Sequence, residues 1–191
     1  MTSDTPPDPQ DETFRTWLRT LSEELDTDPE SALASQDALA FLWSAFVNNG
    51  AMPSSYVAPL LSAHRQAHAQ QAVTAMLKQV HAETGRRPDV PVRHSPPAER
   101  EPEGMVHVGP EPVQGIDPAD IHTEAAEGLQ CLLADRDRLI WPLCPDHHVG
   151  LHATRTASGA VWTCPAGDHT VQSIVQPGPV SLNRQGRHAC W

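Results

Sequence analysis

Cys144-Pro145-Asp146-His147 and Cys164-Pro165-Ala166-Gly167-Asp168-His169 are the two stretches that decide how the second half of this chain folds. In each stretch a cysteine is followed directly by proline and, a few residues later, by histidine. Proline favours a tight turn after the cysteine, so the cysteine and histidine of each stretch are expected to point to the same side. Sixteen residues lie between the two stretches, which is enough for a short hairpin that brings the turns together.

The residues between the two turns support that hairpin. Apolar and polar residues alternate from Leu151 to Trp162 around Ser158-Gly159, which predicts a β-hairpin. Cysteine thiolates and histidine nitrogens are the donors that Zn²⁺ takes in tetrahedral structural sites. We therefore predict one Zn²⁺ held by two residues of each turn: Cys144, His147, Cys164 and His169. Two neighbouring histidines, His148 and His152, could replace either histidine ligand.

Residues 141–176 resemble the zinc-ribbon class, in which two ligand-bearing turns are joined by a hairpin. The resemblance covers about a fifth of the chain and implies a structural metal and a rigid β-hairpin, without any particular activity. The second ligand pair departs from the usual pattern, because four residues separate Cys164 from His169. A module this short buries too little apolar area to fold alone, so a cross-link through metal is expected.

The first half of the chain predicts a helical bundle over residues 12–85. A second helix is expected from Asp28-Pro29-Glu30 to the stop signal Asn48-Asn49-Gly50. A third, opened by Pro53-Ser54-Ser55, is expected to run to Gly85. Its apolar face changes midway, so its two halves should pack on different partners, one of which could be a second copy of the chain. The first helix carries an apolar stripe at helical spacing: Phe14, Trp17, Leu18, Leu21 and Leu25.

The middle of the chain is rich in proline. Seven prolines between residues 86 and 117 predict a semi-extended linker over 86–117. Asp117-Pro118 then supplies an N-cap and a first-turn proline for a fourth helix over roughly 118–137. This helix and the ribbon form the expected second domain, residues 118–176. The predicted fold is therefore mainly α, with a helical bundle, a linker, one further helix and a small C-terminal β zinc ribbon.

Charge and composition limit the function. The net charge is −11, and the acidic residues concentrate at the start, so nucleic acid and anionic membranes are disfavoured. Residues 1–11 lack the basic and apolar runs of a signal peptide and are expected to form a disordered acidic tail; residues 177–191 are expected to be flexible. The longest apolar stretch, Ala38 to Val47, is too short to cross a bilayer. We expect a cytoplasmic protein, where four cysteines favour metal binding or burial over disulfides.

The remaining histidines and cysteines are weaker candidates for metal ligands. His64 and His68 stand one helical turn apart and could bind a metal, but the sequence shows no carboxylate partner, and a solvated helix face is predicted. Cys131 has apolar neighbours on the fourth helix and is expected in the core. His188 and Cys190 could donate to a metal from the end of the chain.

One set of residues resembles an enzymatic motif. Asp168-His169, Asn183 and His188 resemble the HNH nucleases, which implies that His169 would activate water, Asn183 would orient that histidine, and His188 would bind the catalytic metal. Asn183 and His188 are too close for the helix that normally separates them. In addition, Gly167 and Thr170 replace the apolar residues that usually flank the first histidine.

We predict a non-catalytic adaptor or assembly protein. In this hypothesis the helical region docks or dimerises, and the ribbon presents its hairpin to a protein partner. The alternative is a nucleic-acid-associated or transcription-related regulator, in which Arg155, Arg184 and Arg187 would meet phosphates. An HNH-like metal-dependent nuclease ranks third.

Overall fold

The computed structural model describes residues 7–25, 28–29, 33–96 and 104–175. Within these residues it contains four helices and two three-stranded antiparallel sheets. The helices are α1 (Glu12–Glu24), α2 (Gln36–Asn49), α3 (Ser54–Thr84) and α4 (Pro118–Asp137). The strands are β1 (Val92–Ser95), β2 (Met105–Val108), β3 (Glu111–Val113), β4 (His152–Thr156), β5 (Gly159–Cys164) and β6 (His169–Ser173). The fold mixes helix and sheet, with more β structure than the mainly α prediction allowed.

The predicted tails fall largely outside the described part of the chain. Residues 1–6 of the expected acidic tail and the whole of 177–191 lie outside it. Among the helices of the described residues, none combines the length and the apolar character needed to cross a membrane.

Helices α1 and α2 and the first half of α3 share one apolar core, here called the first core. The side chain of Asp11 caps α1 by accepting a hydrogen bond from the Phe14 amide at 2.8 Å. The side chain of Ser35 caps α2 by accepting from the Ala38 amide at 3.3 Å, and the start predicted at Asp28-Pro29-Glu30 lies partly outside the described residues. Helix α2 ends as predicted at Gly50, whose φ is +73°. The predicted stripe on α1 is confirmed, since all five residues are buried: Phe14, Trp17, Leu18, Leu21 and Leu25.

Helix α3 runs from Ser54 to its left-handed cap Gly85, as predicted, and connects two cores. Val57 and Leu61 in its first half belong to the first core, whereas Val73 and Met76 in its second half belong to another. This second core also contains buried residues of α4 and of both sheets. The expected change of face is therefore confirmed, and the second half finds its partners within this chain.

Three strands occupy the segment predicted to be a linker, and that prediction was wrong for the strand residues 92–95, 105–108 and 111–113. The strands pair in the order β1-β2-β3, and Val106 faces Val113 across the register. Both valines are at most 1 % exposed, so the sheet buries one face. The prolines do not interrupt it, because Pro91 precedes β1 and Pro112 lies on the edge strand β3, where a missing amide is tolerated.

Helix α4 packs tightly between the two sheets. It starts as predicted, with Asp117 as N-cap and Pro118 in the first turn. A side chain cannot be added at Gly128, because a Cβ there would lie 2.2 Å from the carbonyl oxygen of Val108 on β2. From the same helix, Gln130 Nε2 donates to the carbonyl oxygen of Leu151 at 2.7 Å. The C-terminal sheet, with strand order β4-β5-β6, is thus joined to α4 instead of forming a separate unit.

Candidate metal centre

The two cysteine turns have the same backbone geometry. The amide of His148 donates to the carbonyl oxygen of Cys144 at 2.9 Å, and the amide of Asp168 donates to that of Cys164 at 2.9 Å. In both turns the donating residue is four positions after the cysteine and adopts a positive φ, +54° at His148 and +48° at Asp168. Each turn therefore folds back on its cysteine.

The histidines occupy different positions on these two matching turns. His147 stands one residue before the left-handed position of its turn, whereas His169 stands one residue after it, at the start of β6 and opposite Cys164 in the sheet register. This accounts for the four-residue spacing of the second pair, which departs from the usual ribbon pattern. In the second turn Gly167 takes the place that His147 has in the first. A Cβ on Gly167 would lie 2.6 Å from His169 Nδ1 and 2.7 Å from His147 Cε1.

Four donor atoms, one from each of Cys144, His147, Cys164 and His169, lie within 4.8 Å of one another. We call this group the Cys-His centre. The Nδ1 atom of His147 lies 3.5 Å from the sulfur of Cys144 and 3.4 Å from that of Cys164. The Nε2 atom of His169 lies 3.8 Å from Cys144 Sγ. Both cysteines are buried and free of disulfides, whereas His147 is exposed, so the group could hold a metal ion at the protein surface.

The other sequence candidates lie elsewhere. His148 and His152 are exposed and do not belong to the Cys-His centre. Cys131 lies half-buried on α4 and is also separate from it. His188 and Cys190 fall outside the described residues, as does Asn183 of the nuclease-like motif.

Two buried tryptophans belong to the same core as the cysteines of the Cys-His centre. Trp141, just before the first turn, packs edge-on against Trp162 of β5, with ring centroids 5.6 Å apart. The indole Nε1 of Trp141 donates to Glu83 Oε2 at 2.8 Å, which ties the first turn to the end of α3. The amide of Cys144 donates to the Val149 carbonyl oxygen at 2.8 Å. The cysteine-bearing backbone is thus held by the second core.

Three large apolar side chains are exposed around the first turn. Ile140 is 68 % exposed, Leu143 49 % and Val149 36 %. Leu143 pairs with Gly150 in an isolated antiparallel bridge, so this surface is part of the backbone that carries Cys144 and His147. We call it the apolar rim.

Two features of the structure were not foreseen from the sequence. His64 and His68 are half-buried instead of lining a solvated face, so that prediction was wrong: the ring of His64 packs on that of His68, and the ring of His68 packs on that of His122. Arg155, a candidate for phosphate contacts, instead bonds Asp117 Oδ2 at 2.7 Å and Asp120 Oδ1 at 2.8 Å. These contacts join residues far apart in the chain, and no local pattern signals them.

Comparison with protein families, with curated proteins and with solved structures finds no match for this chain.

Proposed function

We propose that this chain binds one structural Zn²⁺ through the Cys-His centre and acts as a non-catalytic adaptor that presents the metal-stabilised turns to a protein partner. The observation that carries the proposal is the convergence of two thiols and two imidazoles within 4.8 Å. Thiolate and imidazole donors together are typical of structural zinc sites.

The donor separations support zinc. Bonds of about 2.3 Å to sulfur and about 2.05 Å to nitrogen place the two donors about 3.6 Å apart across a tetrahedral angle. The three sulfur–nitrogen separations given above are 3.4, 3.5 and 3.8 Å. These three separations are close to the value that a tetrahedral ion requires.

A structural role is supported by the number of ligands. Four protein ligands fill a tetrahedral shell, whereas a catalytic zinc keeps one position open for water or substrate. The nuclease hypothesis also needs His169 to activate water, but the Nε2 atom of that ring faces Cys144 Sγ. As a zinc ligand, His169 could not serve as that base.

A protein partner is supported by the apolar rim. Ile140, Leu143 and Val149 expose apolar side chains on a backbone that metal binding would make rigid, and such patches favour protein contacts. A nucleic-acid partner has less support, because the net charge is −11 and the guanidinium of Arg155 is bonded to two carboxylates.

Cross-linking in a lysate of the native host, with two matched variants, tests the proposal. We expect the wild-type protein to capture a partner that Leu143→Asp loses, while Tyr56→Asp retains it; Tyr56 is 69 % exposed but lies on α3, away from the rim. Both variants should keep their metal. Equal capture by both variants would contradict docking at the rim. Salt-sensitive binding of labelled DNA or RNA, measured at about 50 and about 200 mM salt, would instead favour the regulator.

A further inference from the structure

A second group of donors lies away from the Cys-His centre, at the joint between the two cores. An open cavity of about 980 Å³ is lined by the starts of α2 and α4, the middle of α3 and the β4–β5 hairpin. Three histidines line it: His64 and His68 of α3, and His122 of α4. We call these three residues the histidine cluster. Two carboxylates, those of Asp37 and Asp117, line the same cavity, as does the guanidinium of Arg155, which is bonded to Asp117.

The ring of His64 is held in a tautomer that a metal ligand can have. Its Nε2 atom lies 2.9 Å from the carbonyl oxygen of Ile116. A carbonyl only accepts hydrogen bonds, so Nε2 carries the proton and Nδ1 keeps its lone pair. The ring also stacks on Phe41 with centroids 4.1 Å apart. Histidines that bind metals commonly donate their other nitrogen to a backbone carbonyl in this way.

The other two rings each hold a buried nitrogen without a hydrogen-bond partner among the described residues. These atoms are His68 Nδ1 and His122 Nε2, and a buried polar atom left unpaired is unfavourable. The centroids of these two rings are 5.6 Å apart, and those of His64 and His68 are 4.6 Å apart. In the Cys-His centre the rings of His147 and His169 are separated by a similar 5.5 Å.

The charges around the cluster suit a cation. Burial lowers the pKa of His122 to about 4, and burial likewise lowers the pKa values of His64 and His68. The rings are therefore neutral at pH 7, which is the form that binds metals. The carboxylates of Asp37 and Asp117 favour positive charge at His68, whereas the guanidinium of Arg65 disfavours it at His64.

We propose that His64, His68 and His122 bind a second divalent transition-metal ion, which would tie α3 to α4 at the joint between the cores. This site is independent of the adaptor function. Within the described residues, only the Cys-His centre brings three or more donors within 4.8 Å of one another. The histidine cluster must therefore close around the ion by rotation of its side chains, for which the cavity gives room. It has no thiolate, so it binds more weakly than the Cys-His centre.

Titration of metal-free protein without a histidine tag by Co²⁺ separates the two sites. We expect two ions per chain, the first with a thiolate-to-cobalt charge-transfer band and the second without it. His68→Gln and His122→Gln should each lose only the second ion. His94→Gln is the control, because His94 is exposed on β1. Cys144→Ser should lose the charge-transfer band and keep the second ion. The titration therefore distinguishes loss of metal from the Cys-His centre from loss of metal from the histidine cluster.

A measurement on the wild-type protein guards against variants that fail to fold. With the Cys-His centre already filled by Zn²⁺, added Co²⁺ should broaden the imidazole NMR signals of His68 and His122 but spare those of His94. Saturation at one ion per chain would overturn the second site. So would a second ion that survives both cluster substitutions, or one that broadens His94 and leaves the cluster unchanged.

Discussion

Gly167 lies against His147 across the Cys-His centre, so closely that a Cβ on Gly167 would come within 2.7 Å of the imidazole carbon Cε1. The same atom would lie 2.6 Å from His169 Nδ1. The two histidines can approach the same cysteine pair only because the second turn has no side chain at this position.

Gly167→Ala is therefore expected to weaken metal binding while leaving the fold intact. Overpacking of this kind costs about 1–3 kcal/mol, which corresponds to about 5- to 150-fold in affinity. Competition with a chromophoric chelator measures the change. Ala166→Ser, at the exposed neighbouring position, serves as the control and should bind like wild type. Equal affinity in both variants would mean that these histidines do not share an ion.

Loss of the metal should loosen the second core and spare the first. Cys144 and Cys164 are buried in the same cluster as Val73 of α3 and Leu129 of α4, so the effect should extend beyond the C-terminal sheet. In Cys144→Ser we expect amide hydrogen exchange in β4–β6 and α4 to be roughly hundredfold faster, equal to about 2.7 kcal/mol. Cys131→Ser, which changes a thiol outside the Cys-His centre, should exchange like wild type.

Hydrogen exchange in α1 and α2 is the internal reference for that experiment. Their buried residues belong to the first core, so their protection should change little in Cys144→Ser. Uniform loss of protection along the whole chain would show that the two cores unfold as one cooperative unit, and it would contradict the division within α3.

Gly128→Ala should destabilise the packing of α4 on the first sheet. Alanine normally favours a helix over glycine by about 1 kcal/mol, but a Cβ at Gly128 would lie 2.2 Å from the Val108 carbonyl oxygen. Steric conflict therefore outweighs propensity, and we expect a net loss of about 1–3 kcal/mol in denaturant unfolding. Glu127→Ala, one residue earlier and exposed, should be neutral or slightly stabilising. A stabilised Gly128→Ala would rule out the close approach of α4 to β2.

Asp117 should make the joint between α4 and the C-terminal sheet sensitive to acid. Burial raises the pKa of Asp117, but hydrogen bonds from the Ala119 amide, Arg155 and Ser35 outweigh burial, so its pKa is lowered overall. Because the folded-state pKa lies below the unfolded one, the contribution to stability is present above the unfolded pKa. It is lost as the pH falls through the folded value, below about pH 4.

Unfolding of Asp117→Asn across pH isolates that contribution. Asparagine still caps the helix, so the variant should lose only the charge interaction, about 1 kcal/mol at pH 7. The difference from wild type should shrink below about pH 4. Asp135→Asn, exposed on the same helix, should keep the wild-type acid profile. A difference that stays constant down to pH 2 would contradict a charge effect.

Local patterns in the sequence were enough to identify most helices. Two examples are the apolar stripe with Phe14 and Trp17 and the helix cap Asp117-Pro118. Each signal involves residues within one or two helical turns, so the sequence alone predicts the helix. The sequence does not predict the sheet β1–β3, because a high density of proline argues against strands. Pro112 is accommodated since it lies on an edge strand, and the sequence does not show which strand is at the edge.

The two candidate metal sites also differ in how far the sequence predicts them. The four donors of the Cys-His centre come from two short turns, so their spacing in the sequence predicts them. The choice among the neighbouring histidines depends on the left-handed backbone conformation of His148 and Asp168, which is visible only in the structure. The histidine cluster depends on α3 and α4 meeting side by side. His68 and His122 are far apart in the chain, and no motif connects them.

Native mass spectrometry of tag-free protein, purified over a weak chelator so that only tight sites stay filled, tests the zinc centre most directly. The expected result is one Zn²⁺ in the wild-type chain and in His148→Gln, and none in Cys164→Ser. A folded wild-type chain that carries no metal would contradict the proposed centre. The contradiction would hold whether the two thiols were free or the mass were two hydrogens lower because of a Cys144–Cys164 disulfide.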